Sequence, residues 1–196
     1  MSHYGKKFTR YDFIYFSPLW HGISTYHDYS RPNFFPYQVN GSLIKDNGTV
    51  VGSALIGQEF TSPKYLHSRP SPHHYSSYPF STDPKQILPV TGGSNYSNNN
   101  PYLLQRVNDD RKTFSKENDI PSQKVPVDIL TASGSGLDSH ITKQSADMQI
   151  NRIAQHSGLT KHQVRSIIDQ QTTHQTGGDI VNVLLVNLKI KQLMHQ

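Results

Sequence analysis

Ser133, Gly134, Ser135 and Gly136 stand in a row, with Asp138 two residues further on and His140 two beyond that. Two hydroxyls interleaved with two glycines free the backbone for angles other residues avoid. Such a loop at a helix N-terminus presents N–H groups to an anion, phosphate above all. The residues before it, Val125-Pro126-Val127-Asp128-Ile129-Leu130, read as an extended, half-buried strand, and the polar residues after Leu137 read as a helix start. The stretch therefore predicts a strand–loop–helix junction, with Ser133, Gly134, Ser135 and Gly136 as candidate nucleotide-phosphate contacts. It is not a Walker A loop, because no Gly-Lys-Ser/Thr follows. A plain glycine turn between two elements uses the same residues and is the commoner case.

Other chemistry is poorly supplied. Ser133, Ser135, Asp138 and His140 share one loop, and a hydrolytic triad needs geometry that one loop rarely provides. Eleven histidines include the His73-His74 pair and the scattered His156, His162 and His174. None makes a His-x-x-x-His pair beside a carboxylate, and there is no cysteine, so no metal site is predicted. The absence of cysteine also excludes disulfides and thiol catalysis. The net charge of +5 would suit an anionic partner, but Lys and Arg are scattered without an aromatic-interleaved stripe, which argues against nucleic acid.

The elements that must position the loop are read from local signals. At 196 residues, one domain with a short extra segment is expected, and a mean hydropathy of −0.62 implies a modest core with abundant loops. Gly41 to Gly57 reads as a β-hairpin turning at Asp46-Asn47-Gly48. Thr61 to Asn99 reads as a long polar, Pro-rich loop whose sparse apolar residues suit a partner surface. Asn100-Pro101 opens a helix with Leu103, Leu104 and Val107 on one face, continued to Phe114. Thr142 caps a helix with Ala146, Ile150, Ile153 and Ala154 along one side, ended by Gly158. Thr160 and Gln163 form a capping box for another, carrying Val164, Ile167 and Ile168. Ile180–Val183 reads as a last strand, followed by a helix to Met194. The fold class is α+β: a small sheet with several helices.

The Thr131–Asp138 segment also resembles that of the KdpC family, the C subunits of bacterial Kdp potassium-transporting P-type ATPases. Five further segments resemble that family in the same order. They are Asn40-Gly41-Ser42-Leu43; Val51 to Phe60 (Val-Gly-Ser-Ala-Leu-Ile-Gly-Gln-Glu-Phe); Arg69-Pro70-Ser71; Gly92-Gly93-Ser94-Asn95 with Asn100-Pro101; and Val181-Asn182-Val183-Leu184. The resemblance runs from about Phe35 to the C-terminus and gives residues 37–196 as a KdpC-like domain. It implies a non-catalytic accessory subunit in the bacterial inner membrane, with the large domain extracytoplasmic. It also implies partners, the potassium-channel-like and ATP-hydrolysing subunits, which the C subunit holds together while raising the latter's ATP affinity. ATP would enter only through that complex, with Ser133, Gly134, Ser135 and Gly136 as the contacts. Two positions depart from the family pattern. Ser139 stands where relatives usually carry Pro, and residues 172–179 lack the usual Gly-Glu-Pro-Arg.

A larger departure is residues 1–36, which occupy the place of the family's transmembrane helix. Such a helix needs about 20 mostly apolar residues. Here Lys6, Lys7, Arg10, Asp12, His21, His27, Asp28 and Arg31 interrupt every apolar run, and no signal peptide is recognisable. Taken literally, the chain is a soluble, anchor-less binding module derived from the subunit. Translated one nucleotide out of register with permissible codons, the same segment yields a charged start and a long apolar stretch that rejoins the frame near Phe34-Phe35-Pro36. The expectation is a frameshifted membrane helix.

Overall fold

In a computed structural model, residues 35–76 and 90–195 are described. The frameshift and anchor expectations for residues 1–34 fall outside them. The chain divides between Ser42 and Leu43 into two units, taken separately below. In the first, α1 (Pro36–Val39) is a single turn that starts on a proline and closes when the Ser42 N–H donates to the Tyr37 carbonyl at 2.9 Å.

The second unit begins with the expected hairpin. β1 (Leu43–Asp46) pairs antiparallel with β2 (Thr49–Ser53). Asn47 and Gly48 turn between them at φ values of 49° and 82°, the paired positive angles of a type I′ turn.

α2 (Pro101–Asn118) starts as its sequence dictates, with the Asn100 side chain accepting from the Tyr102 and Leu103 N–H groups. Its inner face runs through Leu103, Val107, Phe114 and Asn118. Leu104, expected on that face, sits about 100° around the helix and is 52% exposed. The strand expected over Val125–Leu130 is absent. Two 3₁₀ turns, Ser122–Lys124 and Asp128–Leu130, replace it. Pro126 has no N–H for a ladder, and the Asp128 carboxylate accepts instead from the Thr142 N–H (2.9 Å) and the Ser145 hydroxyl (2.6 Å). Ile129 and Leu130 are buried through that turn while Val127 is 71% exposed.

The loop that follows leads into a strand, β3 (His140–Thr142), rather than the expected helix start. The single helix expected from Thr142 to Gly158 is two, α3 (Lys143–Asp147) and α4 (Ile150–Ser157). They part at Met148-Gln149, where the buried Gln149 side chain bonds the backbone of His67. Thr142 caps α3, and Gly158, at φ 78°, closes α4. α5 (Lys161–Gln170) carries both bonds of the Thr160/Gln163 capping box. β4 (Thr172–Thr173) and β5 (Ile180–Asn182) follow, and Asn182 then caps α6 (Val183–Met194). The second sheet is antiparallel in the order β3-β5-β4, with Ile141 opposite Val181.

Helices of the second unit and this sheet share one apolar core. Ile141, Ile153, Val164, Ile168, Val181, Val186 and Ile190 are each at most 2% exposed. Among the described residues the fold is α+β, with six α-helices and two small antiparallel sheets. No described helix is long and apolar enough to cross a membrane.

The long loop expected from Thr61 packs on the chain's own core over residues 61–76; residues 77–89 lie outside the description. Leu66 is fully buried, and both its backbone groups bond the Asn187 side chain, at 2.7 and 2.9 Å. Arg152, 3% exposed, donates to the Pro63 and Tyr65 carbonyls at 2.8 and 3.0 Å. Buried polar side chains fix this segment together with Leu66, which enters the apolar core.

Candidate functional site

The Ser/Gly loop is a built feature into which distant segments converge. Its tight turn is made internally: the Gly136 N–H donates to the Ser133 carbonyl (3.2 Å) and hydroxyl (3.0 Å), and the Leu137 N–H to the Ser135 hydroxyl (3.1 Å). Gly136 holds φ at +67°, and a Cβ there would come within 2.6 Å of the Gly92 carbonyl oxygen. Gly134, two residues away, has open space where a Cβ would stand. Gly134 and Ser135 are the exposed tip, and Gly136 is buried.

Three segments brace the loop from outside, and a fourth joins beside it. Arg69 donates to the Thr131 carbonyl (3.1 Å) and to the Asp138 carboxylate (2.9 Å), and the Ser71 hydroxyl donates to the Gly136 carbonyl (2.7 Å). The Gly92 N–H and the Thr91 hydroxyl both donate to the Ser135 carbonyl, at 2.7 and 2.8 Å. The Gly57 N–H donates to the Leu137 carbonyl at 2.8 Å. A Cβ on Gly57 would drive into the Tyr75 ring and the Asp138 carbonyl, so only glycine fits. Ser139 and Asn182 both donate to the Ala54 carbonyl at 2.8 Å. The segments around Val51–Phe60, Arg69–Ser71, Gly92–Asn95 and Val181–Leu184, read separately along the sequence, thus meet around Thr131–Asp138.

One bracing segment is strained. His74, Tyr75 and Ser76 have φ values of 47°, 54° and 57°, three left-handed residues in succession and none a glycine. Each such residue costs on the order of 1–3 kcal/mol. The Ser71 hydroxyl accepts from the His73 and Tyr75 N–H groups while donating to Gly136, so one oxygen ties the strained turn to the loop. Burial pushes the Tyr75 phenol up to about 12, and its hydroxyl donates to the Arg69 carbonyl. His140, through its ring and its N–H, together with Arg69, holds the Asp138 carboxyl below the usual range. Asp138 is therefore ionised at neutral pH as the counter-ion of Arg69.

The arrangement does not assemble a triad. Ser139 lies beside the His140 ring (3.0 Å from Nδ1), but it is 2% exposed and its proton is committed to Ala54. Ser133 and Ser135 spend their hydroxyls as acceptors within the turn. Arg69, Ser71 and Gly57, the residues that hold the loop, carried no chemical signal of their own. Their one sequence cue is the order of the segments in which they occur.

Comparison with known proteins agrees with that order. The sequence model of KdpC, described as K⁺-transporting ATPase, c chain, matches residues 30–192. The chain is 43% identical over 163 residues to the potassium-transporting ATPase KdpC subunit of Clostridium kluyveri, covering 80% of this chain and 78% of that protein. It is 40% identical over 161 residues to KdpC subunit 2 of Staphylococcus aureus, covering 81% and 82%. Against the KdpC subunit of Rhodopseudomonas palustris strain TIE-1 it is 38% identical over 166 residues, covering 80% of each. With the match spanning every segment that meets at the Ser/Gly loop, the chain belongs to the KdpC family of K⁺-transporting ATPase subunits.

Proposed function

We propose that this chain serves as the accessory C subunit of an ATP-driven potassium uptake pump in the bacterial inner membrane, with its large domain outside the cytoplasm. It binds the potassium-channel-like and ATP-hydrolysing subunits, supports their assembly and raises the ATP affinity of the second. It has no catalytic role of its own. The observation that carries this reading is the family match over residues 30–192.

Assembly is the stronger half of the proposal. A loop braced by three segments is suited to dock as a body, since little conformational entropy remains to be lost on binding. The exposed Gly134-Ser135 tip is the part of the loop free to meet a partner, and with the domain outside the cytoplasm its effect on ATP affinity is transmitted through the partner subunits. The test compares the purified pump with and without this chain. Complexes lacking the chain should dissociate in detergent and need more ATP for half-maximal hydrolysis. An intact complex with an unchanged ATP requirement contradicts both roles.

A further inference from the structure

Beside the braced loop, between α2 and the strained turn, lies a cleft of about 330 Å³. That volume is near the bottom of the range of about 300–1,000 Å³ typical of ligand sites, room for one long side chain rather than a folded surface. Its apolar lining is Phe60, Phe114 and Ile129, and its charged lining is Glu59, Asp110 and Glu117 against the single guanidinium of Arg69. The Arg69 guanidinium is already engaged, bonded to Asp138 and to the Thr131 carbonyl. Glu59 meets His74 at 2.8 Å and Asp110 meets Arg106 at 2.6 Å, leaving Glu117 as the lining carboxylate with no hydrogen-bonded cation among the described residues. The charge it faces is the buried Arg152 guanidinium, whose hydrogen bonds go to neutral groups. Among the described residues the ion-pair contact of Glu117 is with His67 at 3.8 Å, and burial with the neighbouring Arg152 pushes His67 down to about 4, so it is neutral at pH 7. The Glu117 side chain is 42% exposed, open to an incoming cation.

An apolar floor under an acidic rim is the complement of a side chain with a methylene stem and a cationic head. We propose that this cleft receives an arginine or lysine side chain of a partner protein, its stem on Phe60 and Phe114 and its head at Glu117. The partner's being a pump subunit rests on the function proposed above; the chemistry of the cleft does not.

Two measurements test it. In the first, the full chain is titrated with Nα-acetyl-arginine methylamide and, separately, with its uncharged citrulline counterpart, while backbone amide resonances are followed. The arginine compound should move the resonances of Phe60, Phe114 and Glu117 and bind about fivefold more tightly than citrulline, the worth of one partly exposed charge pair. Glu117→Gln, which keeps the shape, should remove that preference while the chain stays folded by its thermal transition. Equal binding of the two compounds, or shifts confined to other surfaces, overturns the proposal. In the second, Glu117→Arg is co-expressed with the other pump subunits and should elute from the complex at lower salt than wild type. Retention equal to wild type overturns the cleft as the contact. Failure of the wild-type chain to co-purify at all overturns the pump assignment instead, leaving the titration to decide the cleft.

Discussion

Arg152 is 3% exposed, yet its five hydrogen bonds go to neutral partners: the Asn118 and Gln149 side chains, the carbonyls of Pro63 and Tyr65, and the His67 ring. Desolvation lowers its pKa to about 10, which still leaves it charged at neutral pH. His67 has its imidazole against that cation and is held at about 4 instead of 6.5. The unfolded chain therefore takes up a proton that the folded chain refuses. Stability is full above pH 6.5 and should fall as the pH drops from there towards 4, by up to about 3 kcal/mol from this group. Denaturant unfolding across that window checks it, and His67→Gln should flatten the slope. The glycines of the loop make a second contrast. Gly136→Ala forces a Cβ against the Gly92 carbonyl at a positive φ and should cost about 1–3 kcal/mol or more, whereas Gly134→Ala meets nothing and should leave the melting temperature unchanged. Gly134→Val is then the cleaner probe of the loop's part in the ATP response: a loss of that response without loss of stability would support it, and an unchanged response would speak for a plain turn.

Where neighbouring residues decide an element, its sequence announces it. Asn47-Gly48 specifies the hairpin, Asn100-Pro101 opens α2, and Thr160 with Gln163 opens α5, each through bonds spanning three or four residues. Thr160→Ala should accordingly cost about 1 kcal/mol in thermal unfolding. What the sequence concealed depends on contacts far along the chain. Asp128 turns Val125–Leu130 away from a strand by bonding Thr142 and Ser145, and Gln149 splits the expected helix by bonding His67, 82 residues earlier. Residues 61–76 look unstructured because they lack an apolar pattern, and they are ordered by the polar bonds of Arg152 and Asn187 around the buried Leu66. Asn187→Leu leaves the buried N–H and C=O of Leu66 without partners. It should cost about 1–3 kcal/mol for each, and limited proteolysis should then cut near Leu66. The candidate site shows the same division. Ser133 to Gly136 stand out in the sequence, but the residues that brace them come from segments up to 79 residues away, as Gly57 is from Gly136.

For the molecule as a whole, the family assignment rests on the match over residues 30–192, and the site rests on segments from that match, scattered between Val51 and Leu184, that meet around one loop. Residues 1–34 bear on where the chain resides. Each Lys, Arg or Asp near the middle of a spanning helix costs about 2.5–3.5 kcal/mol, and several stand there. Expressed alone, the sequence as it stands is expected in the soluble fraction, and a version with the shifted-frame segment joined at Phe35 is expected to stay with membranes after a carbonate wash. Membrane retention of the unshifted chain under that wash would remove the case for a frameshift. The central claim, membership in a working potassium pump, is tested most directly by deleting the gene from its host and measuring potassium uptake at micromolar external concentration. The account predicts that high-affinity uptake is lost and returns when a membrane-anchored copy of the gene is supplied. Unimpaired uptake in the deletion strain would contradict it.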